Sequence, residues 1–210
     1  MTADINYIYV PGDRHLPPLL LLHGTGGQET DLLSVADQLA PHHPKLSLRG
    51  RVNEAGQWRY FERLDGQTVN VTSLERETDW LIQTVQGLVK RHGLLTQGMM
   101  LLGYSNGANI GAYAMLTRPE TPWQVAMLYH ARIVKDKINQ INQTNQKIFA
   151  TYGEVDPLVK YDEFWQLMQA FQKNNAQVST FVNRNSHAVA PIEIQATQLW
   201  LQANQLVENS

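Results

Sequence analysis

Uninterrupted apolar runs alternate along the chain with segments that have helical spacing. The runs at 19–22, 125–129 and 148–152 are typical of strands buried on both faces of a parallel sheet. Strand and helix in alternation predict an α/β fold with a mainly parallel sheet and helices on both faces. The predicted strands are 5–10, 19–22, 46–48, 99–102, 125–129, 148–152 and 178–182, and the predicted helices cover 32–39, 72–92, 108–112, 164–171 and 192–203.

Several local signals fix the ends and faces of these helices. Thr72 and Glu75 have the spacing of a capping box, and Gly93 follows three basic residues as a C-terminal cap. The aromatic and methionine stripe of 164–171 is expected to be core. The last helix is predicted from the spacing of Ile192, Ala196, Leu199 and Ala203. The Asn- and Gln-rich segment 139–146 is expected to be a solvated connection.

Composition excludes several kinds of protein. A chain of 210 residues without cysteine has no disulfide, thiolate metal site or cysteine nucleophile, and its length predicts one domain over 1–210. A net charge of -2 gives no reason to expect nucleic acid or an anionic membrane as partner. We see no signal peptide and no run long enough to span a bilayer, and we expect a cytoplasmic protein.

The segment Gly103-Tyr104-Ser105-Asn106-Gly107 follows an apolar strand and precedes a stretch of small residues. This strand–turn–helix context is typical of a nucleophile elbow, in which the serine stands at a strained turn and its neighbours must be small. A serine hydroxyl is a weak nucleophile, so it needs a base and a group that orients the base.

Polar residues that directly follow predicted strands supply these partners. Asp156 follows strand 148–152 and His187 follows strand 178–182, so the chain order is Ser, Asp, His, as in α/β-hydrolases. Because active sites of open α/β sheets collect beyond the strand carboxyl ends, we expect Ser105, His187 and Asp156 to meet there. His130, after strand 125–129, is the alternative base.

The loop His23-Gly24-Thr25-Gly26-Gly27 follows a strand and is a candidate oxyanion hole. We expect the amides of Thr25 and Asn106 to donate there, with His23 bracing the loop. A phosphate-binding loop is the competing interpretation, but the chain has no Gly-x-x-x-x-Gly-Lys-Ser/Thr segment.

Residues 51–66 show no helical or strand period and are predicted to form a long excursion or irregular hairpin. Aromatic residues on a loop at a strand end favour a binding surface, although they could instead cap the sheet. We hypothesise that this excursion, with the residues after Tyr129, walls a compact pocket that prefers short esters. The candidate pocket residues are His23, Trp58, Tyr60, Phe61 and His130.

Together these motifs resemble the carboxylesterase/phospholipase family of α/β-hydrolases, in particular small bacterial carboxylesterases linked to hydroquinone resistance. The resemblance covers nearly the whole chain. It implies a Ser105–His187–Asp156 triad, no cofactor, and hydrolysis of carboxylic or thio esters. The chain has Asn106 and Ser186 where the related acyl-protein thioesterases typically have Gln and Gly.

The expected function is hydrolysis of small soluble carboxylic esters through an acyl-enzyme. A thioesterase or lysophospholipase of the same fold is the alternative, and a hydrolase-fold binding protein without turnover is a third hypothesis. We expect no metal, because the adjacent His42 and His43 lack ligand spacing. A small-molecule ester is the expected partner, and a homodimer is left open.

Overall fold

The computed structural model describes residues 5–66, 68–135 and 145–207, so most of the predicted connection at 139–146 lies outside the described residues. The strands are β1 (Tyr7–Val10), β2 (Leu19–Leu22), β3 (Lys45–Leu48), β4 (Val52–Glu54), β5 (Gln57–Arg59), β6 (Met100–Tyr104), β7 (Val125–Tyr129), β8 (Lys147–Gly153) and β9 (Gln177–Asn183). The helices are α1 (Leu33–Leu39), α2 (Val71–His92), α3 (Asn106–Thr117), α4 (Tyr161–Lys173) and α5 (Pro191–Ala203).

The central sheet has seven strands in the order β1-β3-β2-β6-β7-β8-β9. Strand β1 pairs antiparallel with β3 at one edge, and the remaining neighbours in the described sheet pair in parallel. The predicted mainly parallel sheet is therefore confirmed. Strands β4 and β5 form a separate antiparallel hairpin, which accounts for the aperiodic segment after β3.

Helices cover both faces of the sheet, as predicted. On one face, alternate strand residues such as Leu20 and Leu101 pack with the buried faces of α2, α3 and α4. On the other face, Leu21 and Leu102 pack with α1 and α5. Because every strand residue of β2 is fully buried, this strand reads as a continuous apolar run instead of an alternating one.

The predicted capping box at the start of α2 is wrong. The helix begins at Val71, so Thr72 and Glu75 already lie inside its first turns. The Asn70 side chain is the cap instead, and its oxygen accepts from the Ser73 amide at 3.2 Å. At the other end Gly93 adopts φ 62, which confirms the predicted left-handed cap.

Helix α5 buries a different face from the one its apolar spacing suggests. Ile192 and Leu199 are 51% and 61% exposed, whereas Glu193, Thr197 and Leu201 are buried. The buried carboxyl and hydroxyl groups of this face point to a polar network beneath the sheet's carboxyl edge. In the part of the chain that the structure describes, no helix is both long and apolar enough to cross a membrane.

Candidate active site

Ser105 lies at a strained turn between β6 and α3, with φ 50 and ψ -112. Its amide donates to the carbonyl of Tyr129 at 2.8 Å, which ties the turn to the neighbouring strand. The turn packs so closely against β2 that a Cβ on Gly107 would stand 2.2 Å from the Leu22 carbonyl oxygen. The glycine requirement of the predicted elbow is therefore a matter of space.

Ser105, His187 and Asp156 form one chain of hydrogen bonds. The His187 Nε2 lies 2.8 Å from the Ser105 hydroxyl oxygen, and its Nδ1 lies 2.7 Å from Asp156 Oδ2. Because the Asp156 carboxylate accepts a hydrogen bond from Nδ1–H, the proton of the neutral ring is held on Nδ1, and Nε2 is the nitrogen that accepts from the serine hydroxyl. The arrangement can deprotonate the hydroxyl and hold the resulting imidazolium.

Both the carboxylate and the imidazole are fixed by their surroundings. Asp156 Oδ1 accepts from the amides of Leu158 and Val159 at 2.8 and 3.1 Å. Burial alone raises the pKa of Asp156, but the hydrogen bond from His187 and these amides outweigh it and lower the pKa. The Tyr104 hydroxyl donates to the His187 carbonyl at 2.8 Å, which holds the histidine loop.

A second histidine contacts the same carboxylate from behind. His130 is fully buried, with Nδ1 3.0 Å from Asp156 Oδ2 and Nε2 3.3 Å from Glu193 Oε1. Burial alone lowers the pKa of His130, but Glu193 and then Asp156 raise it more. Burial likewise raises the pKa of Glu193, while His130 and the Ala190 amide lower it on balance. The pair therefore favours an imidazolium between two carboxylates.

Sequence reasoning missed Glu193. A glutamate in the first turn of a helix ordinarily needs no explanation beyond the helix dipole and capping, and its side chain does accept from the Ala190 amide at 2.7 Å. Its other carboxylate oxygen faces His130, which no local spacing reveals. The signal available in the sequence was the spacing of Glu193 and Thr197, four residues apart and therefore on one face of the predicted helix.

The two candidate oxyanion donors border the same cavity as Ser105. Asn106 is the first residue of α3, where a backbone amide has no acceptor within the helix. In the glycine loop, the Gly26 amide donates to the Trp58 carbonyl and the Gly27 amide to that of Gly24. Among the amides of Thr25, Gly26 and Gly27, that of Thr25 is the candidate donor to the oxyanion. The assignment of Thr25 and Asn106 as the oxyanion hole stays a prediction.

The cavity beside Ser105 has a volume of about 350 Å³. Phe61 and His130, two of the predicted pocket residues, line it. His23, Trp58 and Tyr60 are not among the described residues that line it. The Trp58 ring instead stacks under the Arg49 guanidinium, 4.6 Å from it, and its role in the pocket stays a prediction.

His23 and Tyr60 lie beneath the loop that they support. His23 Nε2 accepts from the Gly50 amide at 3.0 Å and Nδ1 donates to the Gly24 carbonyl at 2.6 Å, and burial lowers the pKa of His23. The Tyr60 hydroxyl accepts from the His23 amide and donates to the Leu48 carbonyl. These bonds brace the glycine loop, as expected of His23.

The ligand atoms of His130, Asp156 and His187 all lie within 4.8 Å of one another, a spacing that a metal ion could use. However, both Nδ1 atoms already contact the carboxylate, and His187 Nε2 faces the serine hydroxyl. Hydrogen bonding within the cluster therefore accounts for its compactness.

A mainly parallel sheet with a serine at its central strand–helix elbow defines an α/β-hydrolase fold. Residues 3–205 match the Phospholipase/Carboxylesterase family, and the chain belongs to this family of hydrolases.

Relatives of known sequence or structure agree with this membership. The chain is 30% identical to MhqD of Bacillus subtilis (strain 168) over 182 residues, which cover 87% of this chain and 90% of that protein. It is 33% identical to YahD, whose structure was solved with malic acid, at a TM-score of 0.91, with 95% and 99% of the two chains covered. A Bacillus cereus carboxylesterase is 30% identical, with a TM-score of 0.91 and coverage of 96% and 95%.

Proposed function

We propose that this protein is a serine carboxylesterase that hydrolyses small carboxylic esters through an acyl-enzyme on Ser105. The observation that carries the proposal is the unbroken hydrogen-bond chain from the Ser105 hydroxyl through His187 to Asp156. Membership of the Phospholipase/Carboxylesterase family supports the reaction class.

In the first half-reaction, His187 Nε2 takes the hydroxyl proton while Ser105 Oγ attacks the ester carbonyl carbon. The tetrahedral intermediate collapses, the carbon–oxygen bond to the alcohol breaks, and His187 returns the proton to the departing alcohol. A water molecule then attacks the acyl-enzyme with His187 again as base. This step releases the carboxylic acid and restores the serine hydroxyl.

The amides of Thr25 and Asn106 stabilise the oxyanion of each tetrahedral intermediate. Both residues border the cavity, and Asn106 begins a helix whose N-terminus favours negative charge. The volume of about 350 Å³ supports a small substrate, because this is the low end of the range for ligand pockets.

His130 and Glu193 act as positioning residues for Asp156. His130 contacts the carboxylate oxygen that also accepts the hydrogen bond from His187 Nδ1, and Glu193 balances the charge of a protonated His130. The buried ion pair thereby holds Asp156 in place without taking part in the proton transfers at Ser105. Its loss is expected to disturb the orientation and the protonation of His187 together.

Ester hydrolysis by a Ser105→Ala variant tests the proposal. We expect kcat to fall by a factor on the order of 10⁶ with the fold intact, because the nucleophile and base act as one unit. Ser34→Ala is the matched control, since Ser34 is an exposed serine on α1 and its loss should leave kcat unchanged. A Ser105→Ala variant that keeps more than a few per cent of the activity contradicts the proposal.

A further inference from the structure

Cationic side chains surround much of the cavity beside Ser105. Four of its lining residues carry a positive charge, and we call them the cationic wall: Arg59, Arg63, Arg132 and Lys160. Among the described residues, the carboxylates paired with this wall are Glu54 and Glu163. Four cations against two carboxylates leave the wall with an excess of positive charge.

Arg59 is the most deeply buried member of the wall. Its side chain is only 5% exposed, and it forms an ion pair with Glu54, in which Nη1 lies 3.3 Å from Oε2. The Nε and Nη1 atoms are buried, and no described residue offers either of them an aligned hydrogen-bond acceptor. Arg63 Nε lies 3.5 Å from the same Glu54 oxygen, and it is likewise buried without an aligned hydrogen-bond acceptor among the described residues. One carboxylate, that of Glu54, therefore faces two arginines at 3.3 and 3.5 Å, and it compensates only part of their charge.

The backbone at Arg132 and the backbone next to Arg59 are both tied to the helix that follows the nucleophile. The amide of Tyr60, next to Arg59, donates to Asn106 Oδ1 at 2.8 Å. The Arg132 amide donates to Asn109 Oδ1, also at 2.8 Å. Both asparagines belong to the first turn of α3, directly after Ser105. A charge bound by these arginines would therefore lie in the same cavity as the reacting serine.

Repulsion within the wall favours an anion. Burial and then the charge of Arg63 lower the pKa of Arg59, Glu54 opposes this, and Arg132 lowers the pKa further. A carboxylate placed in the cavity among these side chains would relieve this repulsion. The guanidinium fork matches the two oxygens of a carboxylate.

We propose that the preferred substrates carry a carboxylate in addition to the ester bond, and that Arg59, Arg63 and Arg132 bind this second group. The inference rests on the proposed ester hydrolysis and names its substrate class as anionic esters. Lys160, which is exposed at the cavity rim, adds to the attraction of such substrates.

Two matched ester series test the inference. One compares the nitrophenyl monoester of glutaric acid with the isostere in which an isopropyl group replaces the carboxylate. The other compares the acetyl ester of hydroxybenzoic acid with that of hydroxybenzamide, which moves the charge to the alcohol. In at least one series we expect kcat/KM to favour the anion by about tenfold or more, the size typical of one hydrogen bond to a charged group. The preference should shrink in about 1 M salt.

Variants of the wall identify its contribution. Arg132→Gln, which also frees the Glu163 carboxylate, should lower the anion-to-neutral ratio of kcat/KM by about tenfold. Lys160→Gln should lower the ratio less, and its exposed position keeps the fold intact. Arg118→Gln is the matched control, because Arg118 pairs with Asp79 at the far end of α3 and should leave the ratio unchanged.

Failure of this inference differs from failure of the proposed function. If Ser105 turns over neutral esters as well as or better than their anionic partners in both series at low salt, the inference is overturned and the esterase stands. If no ester is hydrolysed, calorimetric binding of glutarate to the protein still decides the inference. Binding that Arg132→Gln and high salt both weaken supports an anion site, and absence of binding overturns it.

Discussion

His187 and His130 contact the same carboxylate oxygen, with their Nδ1 atoms 2.7 and 3.0 Å from Asp156 Oδ2. One histidine faces the serine and the other faces the buried Glu193. Asp156 therefore links the surface of the site to a charged pair beneath it. The chemistry at Ser105 is expected to depend on both sides of this link.

Asp156→Asn tests the front of the link. An amide can present its NH₂ group to Nδ1 and so favour the wrong His187 tautomer, which leaves Nε2 unable to accept the serine proton. We expect kcat to fall by up to about 10⁴-fold in steady-state assays. Asp162→Asn, an exposed aspartate on α4, is the control and should retain full activity. Equal activities of the two variants would remove Asp156 from the mechanism.

His130→Asn tests the contact between His130 and Asp156 through the pH dependence of kcat/KM. The groups around His130 are Asp156, Glu193, His187 and the Tyr104 ring. The His130 and His187 rings are 5.2 Å apart, so a charge on His130 acts at close range on the proposed base. Without it, Glu193 leaves the site more negative, and the acid limb of the profile should move to higher pH.

A purely structural role for His130 predicts another outcome. The variant would then have a lower kcat/KM at every pH, and the midpoint of the acid limb of the profile would stay at the wild-type pH. His42→Asn, a change at an exposed histidine, is the control and should reproduce the wild-type profile. A fixed midpoint in His130→Asn therefore argues against the positioning role.

The same ion pair predicts how stability varies with pH. Burial alone lowers the pKa of His130, but Glu193 and Asp156 raise it above its ordinary value. The stability it contributes is complete below an unfolded-state pKa of about 6.5 and is lost as pH rises through the raised folded-state pKa. Asp156 and Glu193 have lowered pKa values, so their contributions are present above about 4 and are lost as pH falls through those lowered values.

Urea unfolding of wild type and His130→Asn measures this dependence. The variant leaves two buried carboxylates without their cation, which should cost about 3–5 kcal/mol. The difference in unfolding free energy should be largest between about pH 4.5 and 6.5 and should narrow as the pH rises further. A difference that grows toward alkaline pH is incompatible with a protonated His130.

The acyl-length preference separates two candidate walls of the pocket. The sequence predicts both Phe61 and Trp58 as pocket residues. In the structure Phe61 lines the cavity, whereas Trp58 stacks on Arg49. Phe61→Ala should move the optimum of kcat/KM to longer or bulkier acyl groups, since each added methylene that fits is worth about 0.8 kcal/mol. An equal shift in Trp58→Ala would restore Trp58 to the pocket. A wild-type preference for long acyl chains would contradict a compact cavity.

Sequence reasoning succeeded where one local pattern decides the structure. The runs 19–22 and 125–129 coincide with β2 and β7, since a strand buried on both faces must be apolar throughout. Ser105, His187 and Asp156, predicted from their places after strands, lie within hydrogen-bonding distance in the structure, because the carboxyl ends of parallel strands meet at one edge of the sheet, and their catalytic roles stay predictions.

Other features depend on tertiary contacts that no local pattern encodes. The N-cap of α2 is Asn70, two residues before the cap that the spacing suggested at Thr72. Glu193, on α5, meets His130, which directly follows β7. Arg132 borders the cavity, and its amide is held there by Asn109.

Covalent labelling tests directly whether Ser105 is the activated nucleophile. A fluorophosphonate reacts with an activated serine and leaves a mass increment that peptide mapping can locate. We expect one modified residue, Ser105, with no labelling of Ser105→Ala and greatly slowed labelling of His187→Ala. An unlabelled wild-type protein, or a label on another serine, would contradict this expectation.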